Sequence, residues 1–230
     1  MNLVVVSNRV SRGKAHEPMT GGLAAALLPV VEKSGAIWVG SSGRVRDGSQ
    51  KEPFAEIEAL GAGALAMLDL PAAHYGGYYE GFANSALWPA LHSRSDLIRA
   101  SQEDYLSYRE VNAFMARALL RFKKPDTLFW VQDYHFLALG AELRELGVTH
   151  PIGFFLHTPW PAREVVEGVD AVDEPLGIIQ PIDADREFLA VQAAAQPRHV
   201  GMRHRLGSLL GEFFGIDADR KYRSAGLAKP

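Results

Sequence analysis

The chain has 230 residues, of which 47% are hydrophobic and 22% charged, an ordinary balance for a folded chain with apolar material for a sizeable core. Its formal charge of -3 and pI near 6.2 offer no basic footprint for nucleic acid or an anionic membrane surface, and no apolar run approaches the roughly 18 residues of a membrane span. The absence of cysteine excludes disulfides, thiolate nucleophiles and cysteine-based zinc sites, and makes the cytoplasm the default expectation.

The first predicted element is a strand at Leu3 to Val6, a short β-branched run with the look of a strand buried on both faces. Asn8 and Arg9 cut it too short for a signal-peptide core, so Met1 reads as a genuine N-terminus. A helix is expected to follow Thr20-Gly21-Gly22, and further strands fall at Ala36 to Gly40 and Ala64 to Leu68. The stretch HYGGYYEGFANSALWPALH then packs Tyr75, Tyr78, Tyr79, Phe82 and Trp88 into a short region.

The clearest helix lies within residues 101–125, where Val111, Phe114, Met115, Ala118, Leu119 and Phe122 recur at helical spacing. Ser101 marks its start, and Lys123-Lys124-Pro125 its stop. A strand at Thr127 to Val131, a helix from about His135 to Leu146 closed by Gly147, and a strand at Ile152 to Leu156 complete the alternation. Strand, helix, strand with short loops predicts an α/β fold, a Rossmann-like parallel sheet flanked by helices with right-handed crossovers. From Gly168 onward the strong strand signals stop. Ile-Asp-Ala-Asp-Arg occurs at 182–186 and again at 216–220, too little for a repeat architecture, and Val200 to Phe214 reads as one amphipathic helix. The domain expectation is therefore 1–167 for the sheet and 168–230 for a divergent, mostly helical segment.

Ligands of such sheets sit beyond the carboxyl ends of the strands, and three strands end there in polar clusters: Ser7-Asn8-Arg9, Gln132-Asp133-Tyr134-His135 and His157-Thr158-Pro159. Gly21-Gly22 at a helix start suits either an anion on free backbone N–H groups or a tight loop-to-helix turn. Arg9 at the end of a buried strand suits either a phosphate or a structural carboxylate. Among the aromatic residues, Tyr79 and Trp88 are the candidates for a sugar face, and Phe82 and Leu87 read as core. Asp133 and His135 admit three roles: metal ligands, a general-base pair, or a carboxylate on a helix dipole. With His157 they would make a two-His, one-carboxylate set, but no ligand spacing such as H-E-x-x-H is present, and no metal is expected.

Taken together, SNRV, TGGLAAAL, YYEGFANSALWPALH, YREVNAFMA, WVQDYHFLALGAELR and IGFFLHTPWP resemble the trehalose-6-phosphate synthases over about residues 1–167. These are retaining glycosyltransferases of the two-domain GT-B fold. The resemblance implies transfer of glucose from UDP-glucose, or another nucleotide-glucose, to glucose 6-phosphate without a cofactor, and makes this chain the acceptor-side domain. It places Arg9 on the acceptor phosphate, Tyr79 and Trp88 around the sugar and phosphate, and Asp133 on acceptor hydroxyls. It places Gly21 and Gly22 at the donor diphosphate, and His157 beside the donor glucose; Asp133 and His157 are the residues nearest the reacting centre.

The chain also departs from the family. Gly40-Ser41-Ser42-Gly43 stands where many members have Gly-Trp-Ser-Gly, Gln132 replaces a frequent histidine, and the donor-domain stretches RLDYSKG and DGMNLVAKE are not found. A non-catalytic sugar-phosphate-binding module, a related transferase with another acceptor, a pseudo-glycosyltransferase and a metal hydrolase on the same cleft are the competing readings. A sheet without its later strands would leave an edge that the tail or self-association must cover.

Overall fold

Apolar β-branched runs form the middle of a sheet because both faces of each strand are covered: Leu3 to Val6, Trp38, Val39, Leu128, Phe129, Val131 and Ile152 are all buried. The protein's structure, a computed structural model, describes residues 1–10, 22–47 and 55–161, and the backbone of 188–192. The strands are β1 (Asn2–Arg9), β2 (Ile37–Arg46), β3 (Ala55–Leu60), β4 (Gly63–Pro71), β5 (Thr127–Gln132), β6 (Ile152–Leu156) and β7 (Phe188–Gln192). Their order is β3-β4-β2-β1-β5-β6-β7, with β3 antiparallel to β4 and every other neighbour parallel. The chain divides into two compact units, Met1–Ala194 and Ala195–Pro230. The second lies outside the described residues, as does the helix expected around residues 200–214.

The helices are α1 (Gly22–Ser34), α2 (Ala72–Tyr75), α3 (Trp88–Leu91), α4 (Gln102–Leu119) and α5 (Leu139–Glu145), with a π-helical segment, Gly76–Leu87, joining α2 to α3. In α4 all five of the helix residues expected on the apolar face are buried, as is Phe122 in the turn beyond it. Ser101 caps the helix: its Oγ accepts the Asp104 backbone N–H at 3.1 Å and donates to the Asp104 carboxylate at 2.7 Å. Arg109 ties α4 to α5 through two N–H groups on one Glu142 oxygen, at 2.6 and 2.8 Å.

Three elements differ from the sequence reading. The antiparallel strand β3 is an addition, and the alternation of Glu56 and Glu58 with Ile57 is its signature. β7 extends the sheet beyond residue 167. The helix expected from about His135 begins at Leu139, because Asp133 takes φ 69° and the chain first makes a 3-10 turn over Tyr134–Phe136.

The chain leaves β1 for β2 on one side and returns to β5 on the other, so the connections diverge between β1 and β5. That divergence opens a crevice at the carboxyl ends of these two strands.

Candidate functional site

The crevice begins with an irregularity. β1 pairs with β2 through Val6↔Val39 and next through Arg9↔Ser41, three residues against two, which is a β-bulge at Ser7-Asn8. Bulges re-aim side chains, and here the bulge is held in place. Ser7 Oγ accepts the Trp38 indole N–H at 2.8 Å and donates to the Arg9 carbonyl at 3.0 Å. Gly40 makes room, since a Cβ there would collide with the Ser7 carbonyl.

Arg9 emerges beyond the bulge, exposed rather than buried, so a desolvation penalty is not what calls for an anion there. Its guanidinium instead lies over Gly43, where a Cβ would stand 2.7 Å from Nη2 and 2.8 Å from Cζ. Gly43 also has φ +84°, a conformation that favours glycine. Among the described residues no carboxylate pairs with Arg9. Burial raises the Tyr75 phenol and the Arg9 charge pulls it back, which puts the guanidinium within electrostatic reach of that ring. The second strand offers no aromatic wall: Ser41 is buried and its Oγ accepts the Gly43 N–H at 3.0 Å. Ser42 and Arg44 both turn to Asp69.

The aromatic wall comes from the π-helical segment and the turn after β5. Tyr75 stacks on Tyr79 (5.6 Å between centroids), Tyr79 on His135 (5.8 Å), His135 on Tyr134 (4.1 Å), and Tyr134 meets Trp88 at 5.5 Å. His92 ends the row, 3.9 Å from Trp88. Tyr79 is half-buried and Trp88 is 44% exposed, whereas Phe82 and Leu87 are core. Burial pushes the His135 imidazole down to about 4, so it stays neutral at physiological pH and behaves as another aromatic ring.

At the end of β5, Asp133 combines φ 69° with ψ 169°, a region that non-glycine residues rarely occupy. Two hydrogen bonds hold it there, from its N–H to the Phe155 carbonyl (2.7 Å) and from the Phe136 N–H to its own carbonyl (3.2 Å). Its Oδ1, the Gln132 Nε2 and, after β6, the Thr158 Oγ1 are buried with no hydrogen-bond partner, orphaned polar groups at the ends of two neighbouring strands of the kind that marks a binding site. Tyr134 senses both Asp133 and Tyr79, each of which raises its phenol further after burial has done so. His157 is exposed at the end of β6, its Nε2 3.3 Å from Gln132 Oε1.

Ring contacts therefore run from Tyr75 through Tyr79 and His135 to Tyr134 and Trp88, with Arg9 within electrostatic reach of Tyr75, Asp133 beside Tyr134 in the chain, and His157 next to Gln132 on the neighbouring strand. Gly22 opens α1 with nothing among the described residues within 4 Å of where its Cβ would be, and Gly21 lies outside the described residues. Asp133, His135 and His157 do not form a ligand set: among the described residues no group of three His, Asp or Glu side chains is placed to hold a metal. Sequence reasoning passed over Gly43, whose glycine in a Ser-Ser-Gly turn was the available signal, and the His135–Tyr134 stack, which no periodicity announces.

The sequence profile of glycosyltransferase family 20 matches residues 2–193. The chain belongs to glycosyltransferase family 20. It is 33% identical over 98% of its length to a trehalose-6-phosphate synthase of Klebsiella pneumoniae, of which it spans 45%. The solved alpha,alpha-trehalose-phosphate synthase (UDP-forming) of Burkholderia vietnamiensis matches 73% of the chain at 42% identity and a TM-score of 0.67, using 36% of its own length. The Burkholderia xenovorans enzyme in complex with glucose-6-phosphate matches 74% at 38% identity, also at 0.67, using 37% of its length. The family 20 chain described here thus spans less than half of each of these relatives.

Proposed function

We propose that this chain is the acceptor side of a trehalose-6-phosphate synthase. It holds glucose 6-phosphate in the crevice between β1 and β5 for glucosyl transfer from UDP-glucose or another nucleotide-glucose. The observation that carries this reading is Arg9: an exposed guanidinium without a carboxylate partner among the described residues, seated on Gly43 beside a row of stacked rings. A planar guanidinium suits the phosphate, the ring faces of Tyr79 and Trp88 suit the sugar's C–H face, and the Asp133 carboxylate accepts from its hydroxyls. Gly21, Gly22 and His157 would face the donor, with His157 and Asp133 nearest the reacting centre. A synthase of this kind accelerates reaction by positioning two substrates and stabilising charge on the leaving diphosphate, which asks for the fixed polar groups described above and no bound cofactor. Among the described residues no helix is long and apolar enough to cross a membrane; with no cysteine in the sequence, the proposal includes a cytoplasmic location.

Calorimetric titration with glucose 6-phosphate and, separately, UDP-glucose tests the reading. Arg9→Ala should weaken glucose 6-phosphate by about 2 kcal/mol, roughly thirtyfold. Gly43→Ala should weaken it too, by displacing the guanidinium while Arg9 remains in the sequence. Unchanged affinity in both variants would remove Arg9 from the site, and a chain that binds neither ligand would refute the proposal.

A further inference from the structure

The β1 bulge carries a residue that none of the roles above uses. Asn8 sits half-buried inside it, one residue before Arg9, and its Oδ1 lies 2.8 Å from the hydroxyl of Tyr78. Tyr78 is wholly buried in the π-helical segment, so its O–H proton must be spent on a protein acceptor, and Asn8 is the partner the structure gives it. That requirement fixes the amide's orientation. Turned the other way, the NH2 group would point at the phenol and the phenol proton would be left orphaned. The carbonyl is therefore occupied by Tyr78, and the Asn8 Nδ2 group keeps two N–H donors with no partner among the described residues.

Their position is informative. β1 and β5 are last paired at Val6↔Val131, and Asn8 and Asp133 each follow two residues later, where the strands part and the crevice opens. One residue supplies unspent donors and the other an unpartnered buried acceptor, Asp133 Oδ1. A sugar hydroxyl both donates and accepts, so a polyol held between two such groups satisfies both at once, which a phosphate, an acceptor alone, does not. From this juxtaposition we infer that Asn8 is a further binding residue, donating to a hydroxyl oxygen of the acceptor sugar, and that Tyr78 is the positioning residue that keeps its amide aimed there. The inference rests on the proposed acceptor site and assigns Asn8 to the sugar, leaving the phosphate to Arg9.

Two variants and two probes test it. Asn8→Asp retains an acceptor for Tyr78 but removes both donors; Tyr78→Phe retains the donors but frees the amide to rotate. Titration with glucose 6-phosphate and with inorganic phosphate separates sugar from phosphate, and thermal melting tracks the fold. Asn8→Asp should lose roughly tenfold or more in glucose 6-phosphate affinity. That loss should exceed the loss for inorganic phosphate, which reports the added charge near Arg9. Tyr78→Phe should lose severalfold for the sugar phosphate alone. In the wild-type chain the Asn8 side-chain amide resonances should shift on adding glucose 6-phosphate, and that shift should be reduced in Tyr78→Phe. If both variants bind glucose 6-phosphate as the wild type does, or lose both ligands in equal proportion, Asn8 makes no contact with the sugar even though the acceptor site stands. If the wild type binds no sugar phosphate, this assignment falls together with the acceptor site.

Discussion

Asp133 shows at single-residue resolution how the site differs from the scaffold around it. A non-glycine residue at φ 69° and ψ 169° stores on the order of 1–3 kcal/mol, retained where the surroundings over-determine it. Two backbone hydrogen bonds do so here, to Phe155 and Phe136. Glycine would adopt the same backbone without strain, giving back part of that gain through the larger entropy of its unfolded chain. Asp133→Gly should therefore be at least as stable as the wild type in thermal or urea unfolding, while its affinity for glucose 6-phosphate falls at least tenfold for want of the carboxylate. A variant that is markedly less stable would show that Asp133 is there for the fold. This residue was legible in the sequence as a polar group at a strand end, but its strain was not, because φ is set by the Phe155 carbonyl, contributed from a different strand. Arg9 was legible in the same partial way: its place at the end of β1 followed from the apolar run, whereas its seat on Gly43 depends on the bulge register between two strands.

Among the elements, the long periodic ones were readable and the locally ambiguous ones were not. Residues of α4 at helical spacing are buried as their pattern dictates, and Ser101 caps the helix through Asp104. β7, by contrast, is a five-residue strand whose existence depends on pairing with β6, so its sequence carries little independent signal. The π-helical segment Gly76–Leu87 shows in the sequence only as an aromatic cluster, and its Gly76, Gly77 and Gly81 give no helical signal. Packing explains two of those glycines. A Cβ on Gly77 would stand 2.7 Å from Ser107 Oγ, and one on Gly81 would run into the Asp104 carboxylate, which Ser101 holds in place. A Cβ on Gly76 has nothing among the described residues within 4 Å. Gly81→Ala should thus destabilise the protein by about 2 kcal/mol, overpacking outweighing the gain in helix propensity, whereas Gly76→Ala should be neutral or stabilising by up to about 1 kcal/mol. Urea unfolding of the two variants checks the contrast; equal effects would mean that α4 does not depend on this close approach.

At the scale of the whole molecule, what matters is how much of a two-substrate reaction one sheet can hold. The family 20 relatives are more than twice as long as the part this chain matches, and the residues implied for the donor within these 230 are Gly21, Gly22 and His157. Holding two reactants together contributes roughly 7–11 kcal/mol, and only when both are fixed in reacting geometry. Losing one group that stabilises the leaving charge costs about 3 kcal/mol, near a hundredfold in rate, and the stretches that would grip the diphosphate and the donor hydroxyls are absent from this sequence as a set. The 230-residue chain by itself should therefore bind glucose 6-phosphate yet form no appreciable trehalose 6-phosphate. The measurement is release of UDP from UDP-glucose in the presence of glucose 6-phosphate, with the product identified by mass spectrometry. Supplying a separately expressed donor domain from one of the full-length relatives should restore turnover only if the crevice between β1 and β5 is a competent acceptor site. Turnover by the chain alone, at a rate near that of an intact synthase, would mean that this sheet grips both substrates and that the donor contacts lie among residues assigned here to the acceptor.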